Sequence, residues 1–334
     1  ERVDQGIFGY TDTPDELTQI LKERIKLRSG WDIEEEWVVW VPGAVVALNL
    51  ACKTALAPGE IVVTPSPIYA PFDDASENMA RGMVKNFLID NNGRMELDFD
   101  ATEELLSKDT KMLFFCNPHN PGGTVFNKEE ITTLVEICEK HNITICSDEI
   151  HCDLILQDDL EHFHLASLNE YAKQNSITIL GPCKTFNLAG FPLAASIIPN
   201  NELREDFIQN TKGIVSHIDN LAFVASTAAY KYAGEWHKEL IEYLQENKKI
   251  LIEGLNKIDG LSLSGHEAGF LAWVDCRETG LDTPGDFFIN HAGVGVYDGS
   301  WFGREGYIRL NFGCPRSVLE ESIERIQKAF SQRN

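Results

Sequence analysis

Residue types suited to carbonyl chemistry follow three apolar runs in the middle of the chain. The run 111–116 (KMLFFC) leads into Asn117-Pro118-His119-Asn120-Pro121-Gly122-Gly123. The run 144–147 with its neighbours (ITICSDEI) leads into Asp148, Glu149, Ile150 and His151. The run 176–180 (SITIL) leads into Gly181-Pro182-Cys183-Lys184-Thr185. In an open parallel sheet, ligands bind beyond the carboxyl ends of the strands. An Asn, an Asp and a Lys would then reach one edge. Two further strand-like runs end in Pro42-Gly43 and in Pro67-Ile68-Tyr69.

Each feature alone has an ordinary reading. Asn-Pro and Pro-Gly pairs are usually turns. An Asp after a strand is usually a cap, and a Lys there is usually on the surface. Their conjunction asks for more. Asp148 follows apolar or small residues and would be drawn out of water, where a carboxylate needs a cationic partner. Lys184 follows an equally apolar run, and a lysine desolvated in this way can become a nucleophile toward aldehydes. Pyridoxal phosphate meets these needs together, with an aldehyde, a pyridine nitrogen, a phenolate oxygen and a phosphate. An Asp at the ring nitrogen keeps it protonated, which makes the ring an electron sink. The turn Pro42-Gly43-Ala44-Val45 opens a helix whose free N–H groups can hold the phosphate. Tyr69 is placed to stack on the ring.

The elements that must hold these residues alternate in type. Runs 36–41, 60–64, 111–116, 144–147, 176–180 and 194–198 read as strands, and 43–56, 71–80 and 128–141 as helices. Continuous apolar strands between helices predict a parallel sheet covered on both faces. A helix follows from 220 to 258, with few breakers apart from Gly234. After Asp259-Gly260 come short strands at 261–264, 270–274, 294–297 and 308–312, and helices at 286–292 and 317–330. The expected architecture is therefore α/β. A large three-layer domain spans 1–235 with a mostly parallel sheet, and a smaller α+β C-terminal domain spans 236–334, joined through the long helix. The segment Gly6–Thr11 reads as an ordered loop feeding a helix from Pro14. A fold of this kind normally has elements before it, so the natural N-terminal segment is expected to be missing.

Composition narrows the function. The 334 residues are 43% hydrophobic and 24% charged, ordinary for a globular protein. With 29 basic against 52 acidic residues, the net charge is −23, which repels phosphate backbones and disfavours nucleic-acid partners. An anionic ligand would need a local cationic pocket. No apolar run suits a membrane span and no signal-peptide pattern is visible, so a cytoplasmic protein without a membrane partner is expected. The eight cysteines form no CxxC pair, which argues against metal ribbons and redox motifs.

The strings SPIYAPF, CNPHNPGG, SDEIH and CKTFNLAG, in this order, resemble the fold-type-I pyridoxal-phosphate enzymes of aminotransferase class I/II. SDEIH, KTFNLAG and RLNFGCPRSVL look most like the MalY/PatB-type cystathionine β-lyases, the cysteine-S-conjugate C–S lyases. The resemblance runs over essentially the whole chain and implies the PLP-dependent transferase fold. It implies that Lys184 is the Schiff-base lysine and proton shuttle, that Asp148 pairs with the pyridine nitrogen, and that Asn120 hydrogen-bonds the phenolate oxygen. His151 takes the place near that oxygen where many aminotransferases have Tyr, Tyr69 stacks on the ring, and Gly43, Ala44 and Val45 supply backbone near the phosphate. Arg309 holds the substrate α-carboxylate, and Tyr10 reaches the phosphate of the neighbouring subunit, making a homodimer the active unit.

From the residues alone, Arg309 in an apolar run needs an anion, which a substrate carboxylate or an internal salt bridge would equally supply. His151 reads as either a core histidine or a site residue. Trp301 and Phe302 read as either a side-chain pocket or an exposed loop. Three positions depart from the family pattern. Gly181 stands in the place of a phosphate-binding Ser, Cys183 where Ser is common, and Gly122 where Thr is frequent. Side-chain donors to the phosphate are fewer, which leaves more of that task to the backbone and Tyr10. The resemblance implies β-elimination from an amino acid such as cystathionine. An aminotransferase uses the same residues as far as the carbanion, and a non-catalytic regulatory protein on this scaffold is the reading from another class.

Overall fold

The computed structural model describes residues 2–263 and 265–333. Ser264, the last residue of the expected strand 261–264, lies outside them, as do Glu1 and Asn334 at the limits of the two expected domains.

Twelve strands and twelve α-helices follow one another along the described residues. The chain opens with α1 (Arg2–Gln5) and α2 (Asp15–Ser29), the latter ending at Gly30 in the left-handed conformation. Then come β1 (Val38–Val41), α3 (Ala44–Ala55), β2 (Ile61–Ser66), α4 (Pro71–Asn78) and β3 (Gly82–Phe87). The hairpin β4 (Ile89–Asn91) and β5 (Arg94–Glu96) precedes α5 (Phe99–Leu105), β6 (Thr110–Cys116) and α6 (Lys128–His141). Next are β7 (Thr144–Asp148), α7 (Glu170–Gln174), β8 (Ser176–Leu180), β9 (Ala194–Ile197) and α8 (Asn201–Thr211).

Seven strands form the main sheet in the order β1-β9-β8-β7-β6-β2-β3. Strands β2, β3, β6, β7 and β8 pair in parallel. Strand β9 runs antiparallel to both of its neighbours, which the apolar pattern alone did not predict. The cause is the connection 181–193, which carries turns but no crossover helix. Parallel neighbours need such a crossover.

Strands β8 and β9 are buried at every residue, and β6 and β7 at all but one each. Both faces of this sheet are therefore covered, and alternate side chains serve opposite layers. Phe114 packs with Leu48, Phe72 and Phe207 on one face, where α3, α4 and α8 lie. Its neighbour Phe115 packs with Ile131 and Leu134 of α6 on the other.

The expected helix over 220–258 is two helices, α9 (Asn220–Tyr232) and α10 (Gly234–Leu255). Ala233 breaks the run with φ −97° and ψ 25°. Gly234 follows at once, and glycine costs about 1 kcal/mol relative to alanine inside a helix. The C-terminal unit holds the antiparallel sheet β10 (Leu271–Asp275), β12 (Tyr307–Asn311), β11 (Tyr297–Asp298), in that spatial order. Helices α10 and α12 (Arg316–Ser331) share a core with it through Leu251, Leu255, Ile308, Leu310, Ile323 and Ile326. The expected strand 294–297 shrinks to β11, and the expected helix 286–292 is α11 (Pro284–Phe287) followed by a π-turn over Phe288–Ala292. Among the described residues no helix is long and apolar enough to cross a membrane.

Candidate active site

The site forms where β6, β7 and β8 end side by side. Cys116 pairs with Asp148, and Asp148 with Ile179, so Asn120, Asp148 and Lys184 leave the sheet at one level. A cavity of about 410 Å³ opens there, lined by Asn120, Asp148, His151 and Lys184. Gly43, Ala44, Val45 and Tyr69 line it from β1, α3 and the loop after β2, and Arg309 from β12. Nine of the predicted residues thus meet in one cavity.

Asp148 is 5% exposed, and its Oδ1 accepts the Ile150 amide at 3.1 Å. Burial raises its pKa to about 6, although the Ile150 bond and the Lys184 charge both pull it down. This carboxylate has no ion-pair partner within 4 Å among the described residues. His151 is equally buried, and its Nδ1 has no hydrogen-bond partner. Burial, with the charges of Lys184 and Arg309, lowers its pKa to about 3, so the ring is neutral. Lys184 is half-buried, less withdrawn from water than its apolar strand suggested. Tyr69 is half-buried too, and burial raises the pKa of its hydroxyl.

Gly43 has φ 103° and ψ 160°, a conformation that disfavours any side chain, and an added Cβ would meet Pro192 at 3.3 Å. Its own amide donates to the Val41 carbonyl at 2.8 Å. The amides of Ala44 and Val45, in the first turn of α3, are left as donors facing the cavity. A helix N-terminus of this kind suits a phosphate.

Arg309 donates to Asn120 Oδ1 at 3.0 Å and so links the small sheet to the large one. Its guanidinium lies 4.5 Å from the Phe302 ring centre and 5.0 Å from that of Tyr297. Among the described residues it pairs with no carboxylate, and the internal salt bridge left open above is not found. Burial draws its pKa down, which an anionic ligand would reverse.

Two of the three departures from the family pattern, Gly181 and Gly122, have steric causes. Gly181 lines a neighbouring cavity instead of this one. A Cβ there would meet the Leu193 carbonyl at 2.7 Å, so a serine has no room. At Gly122 a Cβ would meet His119 Nδ1 at 2.7 Å and Met95 Cγ at 2.9 Å. The Cys183 thiol donates to the Leu193 carbonyl at 3.2 Å, which ties the lysine loop to the approach of β9.

Other candidates fall elsewhere. Asn117 exchanges two hydrogen bonds with the Phe126 backbone, so only the second Asn of NPHNP is free for a ligand. Phe302 is core at 2% exposed, Trp301 is 63% exposed, and neither lines the cavity. Tyr10 is 90% exposed and rests against His217, outside the cavity of its own chain. Phe270 and Asn311 line the cavity without having been singled out. Asn311 ends β12, the kind of position that marked the others, whereas Phe270 precedes β10 at its amino end.

Pyridoxal phosphate fits these donors on structural grounds. A protonated ring nitrogen supplies the cation that Asp148 lacks, and the α3 amides suit the phosphate. Lys184 offers an amine to the aldehyde, and the orphaned His151 nitrogen and the Asn120 amide offer polar atoms to the ring substituents.

A parallel sheet with its chemistry at the strand ends, a lysine and a buried acid facing one cavity, is the arrangement of a pyridoxal-phosphate transferase-type enzyme. Residues 2–326 match the model of the family "Aminotransferase class I and II", and the chain belongs to that family. It is 34% identical to cystathionine beta-lyase PatB of Bacillus subtilis, over 99% of this chain and 87% of that protein. The crystal structure of OvoB superposes with a TM-score of 0.97 at 39% identity, covering 100% of this chain and 88% of that one. Cystalysin from Treponema denticola, whose crystal structure contains pyridoxal 5'-phosphate, gives a TM-score of 0.96 at 31% identity, covering 100% and 86%.

Proposed function

We propose that this chain is a pyridoxal-phosphate-dependent carbon–sulfur lyase. It acts by β-elimination on sulfur amino acids such as cystathionine or other cysteine S-conjugates. The products are a thiol, pyruvate and ammonia, with one water consumed. The observation that carries the reading is the convergence of Lys184, Asp148 and Arg309 on one cavity, the last two with no ionic partner among the described residues. The likeness to cystathionine beta-lyase PatB favours the lyase over the transaminase outcome.

When bound, pyridoxal phosphate supplies an electron sink for the charge left at the substrate Cα. Lys184 would hold the cofactor through its amine, and the same amine would take the Cα proton of the substrate. Asp148 keeps the ring nitrogen protonated, and burial strengthens that pair because water competes poorly there. Arg309 holds the α-carboxylate in a two-pronged contact that its planar guanidinium permits. Its bond to Asn120 fixes the guanidinium relative to the strand ends. The aromatic faces of Tyr297 and Phe302 hold it further.

The active unit we propose is a homodimer in which Tyr10 completes the phosphate site of the neighbouring subunit. Exposed apolar side chains on the same segment, Ile7 at 69% and Phe8 at 52%, support a covering partner. The test of the activity supplies cystathionine with no 2-oxo acid present. Continuous release of thiol and pyruvate in equal amounts is expected. Turnover that starts only when a 2-oxo acid is added identifies an aminotransferase and overturns the reading.

A further inference from the structure

A second cluster of ligand-type side chains lies one residue beyond Asp148, on the other side of the strand end. Glu149 is fully buried. Its Oε1 accepts from the Ser147 hydroxyl at 2.8 Å and the Leu165 amide at 3.1 Å. Its Oε2 faces two imidazoles, His162 Nε2 at 2.8 Å and His164 Nδ1. The three ligand atoms, Oε2, Nε2 and Nδ1, all lie within 4.8 Å of one another.

The surroundings leave this carboxylate short of a cation. Arg24 and Arg28 line, together with His162 and His164, a cavity of about 250 Å³, but both pair with Asp153. Among the described residues no Arg or Lys pairs with Glu149, so the two histidines are its only basic side-chain partners. Burial lowers the pKa of His162, against the pull of Glu149. The His162 side chain is 6% exposed, and its Nδ1 has no hydrogen-bond partner. Two imidazoles around a buried carboxylate are a donor set that borderline divalent cations prefer.

We propose that Glu149, His162 and His164 form a binding site for a divalent cation of the zinc class, with its open coordination position toward the adjoining cavity. The fit needs only side-chain movement. Zinc holds nitrogen and oxygen ligands at about 2.0–2.2 Å, so tetrahedral ligand atoms stand ~3.3 Å apart. The Nε2–Oε2 separation of 2.8 Å would open slightly, and the two ring nitrogens would close on each other. Oε1 keeps its backbone and hydroxyl bonds throughout, so the carboxylate is already oriented by its outer partners. Binding would tie the loop carrying His162 and His164 to the residue next to the cofactor's acid.

The test uses the cofactor-loaded protein, treated with chelator and then dialysed against zinc or cobalt(II). His162→Gln and His164→Asn each keep an N–H donor toward Glu149 and remove the imidazole lone pair. One metal per chain is expected in the parent protein, with a visible ligand-field band for cobalt. Affinity should fall by at least ~100-fold in either variant, more than outer-shell changes alone produce. Should the variants misfold, paramagnetically shifted ring-proton signals from two histidines in the cobalt-loaded parent decide the matter, and their absence overturns the proposal. Failure of the parent to retain metal also overturns it, as does undiminished binding in a folded H162Q/H164N double variant. Glu149 would then be a hydrogen-bonded staple only.

Discussion

Asp148 and Glu149 are adjacent, both buried, and opposite in character. Asp148 faces the cofactor cavity with one backbone amide as partner, and burial raises its pKa to about 6. Glu149 faces the other way with four donors, and the two histidines hold its pKa far below the usual carboxylate range despite burial. Burial is the same for the two, so the partners decide the sign. One carboxylate is surrounded by donors from its own chain, whereas the other has a single backbone amide. That difference in partners separates the two sites more sharply than residue type does.

The largest effect should come from the lysine that shares the Asp148 cavity. Lys184→Ala should lower β-elimination by ~10³-fold or more, since it removes both the cofactor attachment and the Cα base. Steady-state rates of thiol release, with the visible cofactor band recorded alongside, check it. Arg309→Lys should lower kcat/KM by roughly 10²-fold, mainly through KM, because an ammonium cannot reproduce the two-pronged contact.

Substitution of each carboxylate sharpens the contrast by opposite signs in cofactor-free protein. Asp148 has a raised folded pKa, so its ionisation opposes folding. That penalty is absent below pH 3.8 and fully present above about pH 6. Asp148→Asn should therefore raise apo stability above pH 6, by about 2–3 kcal/mol at most, with little change near pH 4. Glu149 has a depressed folded pKa, so its contribution is present above pH 4.5 and lost as the pH falls through the folded value. Glu149→Gln should cost about 1–3 kcal/mol at neutral pH. Urea unfolding at several pH values measures both, and a shared sign would break the comparison. Gly181→Ser should cost about 1–3 kcal/mol through its clash with the Leu193 carbonyl, visible as a lower Tm, without tightening cofactor binding.

The cofactor half of this contrast was legible in the sequence, because Asn120, Asp148 and Lys184 each follow an apolar strand and parallel strands end together. Arg309 was legible as an arginine needing an anion, but only the structure excludes an internal carboxylate among the described residues. The antiparallel turn of β9 was hidden by its apolar composition, though the 181–193 connection, with no helical pattern, held the clue. The steric reasons for Gly181 and Gly122 lie in chain segments that sequence spacing does not bring together. The histidine pair escaped notice because 149, 162 and 164 follow no regular period. The His-x-His spacing was the one available signal.

Isotope-edited infrared spectroscopy of the Asp148 carboxyl, assigned by difference against Asp148→Asn, tests the central claim directly. In cofactor-free protein the carboxyl should titrate near pH 6. With pyridoxal phosphate bound it should stay ionised well below that pH, held by the protonated ring nitrogen. Identical titration with and without the cofactor would contradict the assignment of Asp148 as the ring's partner.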